Sequence, residues 1–169
     1  MRAGTGPKTL PPQKATHQLS ELPALLIRGE RSFTPDEFEE SILKEYLATG
    51  GLLLLEASSN ESGQQFLNAA RLKIKELLPA SATLKDIGGD KELMGTEAGK
   101  ASVQAFKLAN QSLAAAFLSV ASSDKSKGLP RSTAARAIYN MMFQKMDPMI
   151  LQQNYPISLT EEQTPEEAE

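Results

Sequence analysis

The stretch that decides the fold is residues 23–60, PALLIRGERSFTPDEFEESILKEYLATGGLLLLEASSN. It holds two short apolar runs, PALLI at 23–27 and LLLL at 52–55. Neither alternates with polar residues, which is how a strand reads when a parallel sheet is covered on both faces. Between them lies a helix signature: Thr34 as N-cap, Pro35 at the first helical position, and Glu37 at the third, able to bond back to the cap backbone. Phe33 and Phe38 flank this box at the spacing of a hydrophobic staple. Phe38, Ile42, Leu43, Tyr46 and Leu47 then recur at helical intervals, with Glu39, Glu40, Lys44 and Glu45 opposite them, and Gly50-Gly51 can take the positive φ that stops a helix. A strand–helix–strand crossover is right-handed in about 98% of cases, so the two strands are expected to be parallel with their carboxyl ends on one edge.

Working outward, Phe66, Ala70, Ile74 and Leu77 form one stripe of a second helix that Pro79 ends, and 84–87 reads as a short third strand. Residues 96–111 read as helical, whereas LAAAFLSVA at 113–121 fits a buried strand and an Ala-rich helix equally. A loop at 122–128 leads to Pro130 and a last helix with Ala135, Ile138, Tyr139, Met142, Phe143 and Met146 as its inner face; Met141, Met142 and Met146 read as core. The expected architecture is α/β: three layers, a mainly parallel sheet with helices on both faces. Residues 1–19, rich in Gly, Pro, Thr and Lys, read as a disordered leader or linker, 20–155 as a single domain, and 156–169 as an acidic disordered tail.

The absence of cysteine excludes a disulfide framework, a thiolate metal site and a cysteine nucleophile. The net charge of −3 resides in the ends. Setting aside Arg2, Lys8 and Lys14, and Glu161, Glu162, Glu166, Glu167 and Glu169, leaves 15 basic and 16 acidic side chains, a near-neutral body with no basic field for nucleic acid. No run approaches the roughly 18 apolar residues of a membrane span and no signal peptide is expected, so a soluble, by default cytoplasmic, protein is the expectation. The one histidine, His17, falls in the leader and takes no role, and no His/Asp/Glu cluster has ligand spacing, so neither metal nor cofactor is expected.

The ordered set of features resembles the bacterial domain-of-unknown-function family numbered 4159, related to the class I glutamine amidotransferase-like fold. It consists of a strand ending in Arg28-Gly29, a helix closing with Tyr46-Leu47 and Gly50-Gly51, a strand ending in Glu56, and a helix from near Phe66 to Leu78-Pro79. The likeness spans 22–94 and, more weakly, 113–146. It implies a flavodoxin-like sheet whose first strand would lie before Pro23, so that the sheet here lacks it or is completed from elsewhere. Ser58 stands where members of that family often carry cysteine.

In an open parallel sheet, ligands bind beyond the carboxyl ends of the strands. That edge gathers Arg28, Glu30, Glu56, Ser58, Ser59 and Asn60 as ligand-binding candidates. An arginine facing a glutamate suits a small polar ligand, whereas Ser58, Ser59 and Asn60 are also ordinary helix caps, and capping outweighs catalysis for them. The G-x-S-x-G elbow is absent and a serine nucleophile here would have only Glu30 or Glu56 as base, so no catalytic residue is assigned. The expected function is a non-catalytic module binding a protein partner or small polar ligand at this edge. Two alternatives stand beside it: a weak hydrolase or transferase using Ser58 or Ser59, and a structural subunit whose open strand edge pairs within a larger assembly.

Overall fold

The computed structural model describes residues 22–123 and 127–146. The leader at 1–19, the tail at 156–169 and any strand before Pro23 lie outside the described residues. Among the described residues five strands and four helices follow in the order β1 (Leu25–Arg28), α1 (Glu37–Ala48), β2 (Leu53–Ser58), α2 (Glu61–Leu77), β3 (Thr83–Asp86), α3 (Lys91–Met94), a 3-10 turn at Gly95–Glu97, β4 (Gln104–Lys107), β5 (Leu113–Val120) and α4 (Arg131–Lys145). The strands make one mixed sheet in the order β1-β2-β5-β4-β3.

The βαβ expectation holds: β1 pairs parallel with β2 in the register Leu25↔Leu53 to Arg28↔Glu56. β2 in turn pairs parallel with β5, from Leu53↔Ala115 to Ser58↔Val120. The rest of the sheet departs from the parallel expectation, because β4 lies antiparallel to both β5 and β3. Residues 96–111 are also not a helix. Only a 3-10 turn remains, and β4 occupies Gln104–Lys107. Gly99 takes φ +86, and the Asp86 carboxylate accepts from the Val103 amide at 3.0 Å and the Ser102 hydroxyl at 2.9 Å, which ties the strand start to β3 instead of continuing a turn.

The Ala-rich segment resolves as the central strand β5, buried at seven of its eight positions. Helix propensity is worth only tenths of a kcal/mol per residue, and a place between two covered faces overrides it. On one face Ile27, Leu53, Leu55, Ala115 and Phe117 pack beneath Leu43, Tyr46 and Leu47 of α1 and Phe66, Leu67, Ala70 and Ile74 of α2. On the other, Leu54, Ala116, Leu118 and Val120 pack against Leu93 and Met94 of α3 and Ala134, Ala137 and Met141 of α4. Each fully buried large aliphatic side chain contributes about 1.5–3 kcal/mol relative to exposure, so the two cores account for the layering.

Two local expectations shift. The N-cap of α1 is Asp36, not Thr34, and it closes a capping box with Glu39. Both Thr34-x-x-Glu37 and Asp36-x-x-Glu39 fit the pattern, and the carboxylate prevails because it is the better cap and suits the positive end of the helix dipole. Phe33 accordingly packs not on Phe38 but edge-on against Phe66, with ring centroids 5.8 Å apart. The inner face of α4 is Thr133, Ala134, Ala137 and Met141, while Tyr139 and Phe143, expected inside, are exposed. Small residues on that face let the helix backbone approach the Leu54, Leu118 and Val120 side chains of the sheet closely.

Candidate functional site

The loops after β2 and β5 diverge: β2 feeds α2 on one face of the sheet, and β5 feeds α4 on the other. Adjacent parallel strands whose connections leave on opposite faces open a crevice at their carboxyl ends. A cleft of about 170 Å³ lies there, lined by Arg28, Gly29, Glu56, Ala57, Ser58, Val120, Ala121, Ser122 and Arg131. It is well below the 300–1,000 Å³ of sites for drug-sized ligands, so it suits a group of a few non-hydrogen atoms.

Of the six sequence candidates, three line this cleft. Arg28 and Glu56 are register partners on β1 and β2, and Arg28 Nε donates to Glu56 Oε2 at 3.1 Å. The arginine is the exposed member, 68% accessible against 13% for the glutamate, so Glu56 anchors the guanidinium while most of it stays open to a ligand. Ser58 ends β2, and its hydroxyl oxygen is buried without a hydrogen-bond partner. A buried hydroxyl left unpaired costs about 1–3 kcal/mol, so this atom is an unfilled donor and acceptor at the cleft wall.

The other three stand apart. Asn60 caps α2: its Oδ1 accepts from the Gly63 amide at 2.8 Å and the Ser62 hydroxyl at 3.1 Å. Glu30 accepts from Ser62 Oγ at 3.4 Å, beside the start of α2 and outside the cleft lining. Ser59 donates its amide to the Val120 carbonyl at 2.9 Å, lacing the two loops together. No described carboxylate or imidazole accepts from Ser58, so the hydroxyl has no base positioned to take its proton.

Sequence reasoning missed the second wall: Val120, Ala121, Ser122 and Arg131. Reading 113–121 as a strand would have brought residues 120–122 to the same edge as Glu56 and Ser58, and Pro130 already marked Arg131 as the first residue of α4. That helix begins at Pro130, whose ring offers no side-chain cap, and its N-terminal amides lie at the Arg131 end of the helix. Arg131 makes no ion pair among the described residues. Counting Arg28, Arg131 and Glu56, the lining carries one net positive charge.

Among the described residues no three or more His, Asp or Glu side chains converge, and no helix is long and apolar enough to cross a membrane. No family model matches the chain, and no curated protein matches it.

Proposed function

We propose that the chain is a non-catalytic α/β module, of the flavodoxin-like or amidotransferase-like kind that its sequence resembles, that binds a small anion at the carboxyl edge of its sheet. The carrying observation is the cleft at the β2–β5 divergence, where two arginines stand against one glutamate over an unpaired hydroxyl. A carboxylate or phosphoryl group of a small metabolite fits in charge and size. Arg131 offers a fork to its oxygens, Arg28 turns its exposed edge toward it, and the Ser58 hydroxyl and α4 amides supply neutral donors.

Calorimetric titration of the protein with inorganic phosphate, and separately with succinate, tests this reading. Binding of at least one is expected, and Arg131→Ala or Arg28→Ala should weaken it roughly 10–100-fold, the worth of about 1.5–3 kcal/mol for a hydrogen bond to a charged group. Failure of both anions to bind, or equal binding to an Arg28→Ala/Arg131→Ala protein that remains folded, overturns it.

A further inference from the structure

The charged side chains that line the cleft belong to one face of the sheet. Leu54, Leu118 and Val120 pack in the core beneath α4. Alternate residues of a strand share a face, so Glu56 and Ser58 stand on the α4 side with Leu54. Arg28 joins them, because it is the register partner of Glu56 and register partners on parallel strands point the same way. Arg131 opens α4 itself. The cleft therefore lies between the carboxyl ends of the parallel strands and the first turn of the helix packed on that face. Ser59 and Asn60 lead into α2 on the opposite face and line no part of it.

Donors thus reach the cleft from two walls. On the strand wall, Arg28 Nε is held by Glu56 Oε2 at 3.1 Å, which leaves the Nη edge of the guanidinium for a ligand. On the helix wall stand Arg131 and the first-turn amides, which helix geometry leaves without intrahelical acceptors. A carboxylate has its two oxygens and their lone pairs in one plane, and a single guanidinium fork occupies its favoured edge. A phosphoryl group spreads its terminal oxygens over a tetrahedron, so forks from two walls each find a pair. Charge points the same way. The lining's one net positive charge gains roughly half a charge from the α4 N-terminus. A phosphate monoester concentrates about −1.5 to −2 on one group at neutral pH, against about −1 for a carboxylate.

We propose, building on the anion reading of the cleft, that its ligand is a phosphate monoester, with Arg28 and Arg131 each bridging two phosphoryl oxygens from opposite walls. Arg28, 68% accessible, marks the mouth, and the ester oxygen leaves there. Ser58 Oγ, buried without a partner among the described residues, turns about χ1 to meet a phosphoryl oxygen, which ends the cost of its unpaired position. Both arginines are specificity-determining on this arrangement, because losing either fork leaves one wall with charge alone.

Calorimetric titrations of the full 169-residue chain with glycerol 3-phosphate, inorganic phosphate and succinate at one ionic strength, repeated on Arg28→Lys and Arg131→Lys, test the assignment. Lysine keeps each charge and removes the fork. Glycerol 3-phosphate is expected to bind at least ~10-fold more tightly than succinate, and each substitution alone should weaken it roughly 10-fold, the worth of one charge-assisted hydrogen bond. Succinate binding as tightly as glycerol 3-phosphate overturns the proposal while the anion site stands. So does glycerol 3-phosphate binding that either substitution leaves unchanged, since only one fork is then engaged. Inorganic phosphate binding with glycerol 3-phosphate excluded overturns it in favour of the free ion. If none of the three binds, the anion reading fails and the monoester with it.

Discussion

Gly63→Ala sets two effects of opposite sign against each other at one atom. Gly63 lies inside the first turn of α2, where alanine is favoured over glycine by about 0.8–1 kcal/mol on helix propensity alone. A Cβ there, however, would stand 1.7 Å from the Ser58 carbonyl oxygen and 2.7 Å from its carbon. The obstruction is backbone at the end of β2, with no flexible side chain to swing away. Restoring even 3.0 Å requires the helix start and the strand end to separate by more than an ångström, through the Asn60 cap that joins them. Overpacking of this kind costs about 1–3 kcal/mol when side chains absorb it and more when backbone must move, so the net effect is destabilisation by roughly 2–3 kcal/mol. For a domain of this size that lowers Tm by roughly 6–12 °C. Thermal unfolding followed by circular dichroism reads it, with Gly89→Ala as the control, since a Cβ at Gly89 meets nothing within 4 Å. A Gly63→Ala protein as stable as the unmodified one would refute the close helix–strand approach, and with it the placement of Ser58 at the cleft wall.

Glu56→Gln removes the one carboxylate that lines the cleft among the described residues and frees Arg28, so phosphate or succinate should bind more tightly; unchanged or weaker binding by calorimetry would contradict the charge count. Asp86 Oδ1 accepts from the Gly88 and Val103 amides and Oδ2 from Ser102, and these donors hold its carboxyl below the ordinary value. A depressed folded-state carboxyl contributes stability above the unfolded value near pH 4 and loses it as pH falls through the folded value. Asp86→Ala should therefore cost about 1–2 kcal/mol at neutral pH and flatten the acid limb below about pH 4 in urea titrations. Burial raises the hydroxyl of Tyr46, which donates to the Leu22 carbonyl at 3.1 Å. The protein should lose stability as pH climbs past about 10, because only the unfolded chain ionises freely, and Tyr46→Phe should remove that loss at a cost of roughly 1 kcal/mol at pH 7.

The first half of the fold was open to reading because residues 23–78 alternate strand and helix with unambiguous punctuation, and local periodicity reports local pairing. That alone put Arg28 and Glu56 at the same edge, whereas their 3.1 Å contact depends on the Arg28↔Glu56 register, which no local pattern states. What stayed illegible depends on tertiary context. LAAAFLSV reads as helix or strand until both faces are known to be covered. Ala134, Ala137 and Met141 look weaker than Ile138, Tyr139 and Phe143 as a core face, and the side of the helix that meets Leu54, Ala116, Leu118 and Val120 is set by the packing of the whole sheet. Arg131 and Ser122 were missed for the same reason: their place depends on where β5 sits in the sheet, which no local pattern encodes.

The pairing of β2 with β5 also has a consequence in time. It joins two pieces that can organise separately: β1–α1–β2–α2 through a local crossover, and β3–β4–β5 through neighbouring antiparallel pairs. Bringing Ser58 beside Val120 closes the whole intervening chain, at roughly 3–4 kcal/mol of entropy, so this seam is the long-range step in assembly. The cleft straddles the seam. Neither piece alone can carry it, and the chain acquires a pocket only at the moment it becomes one sheet.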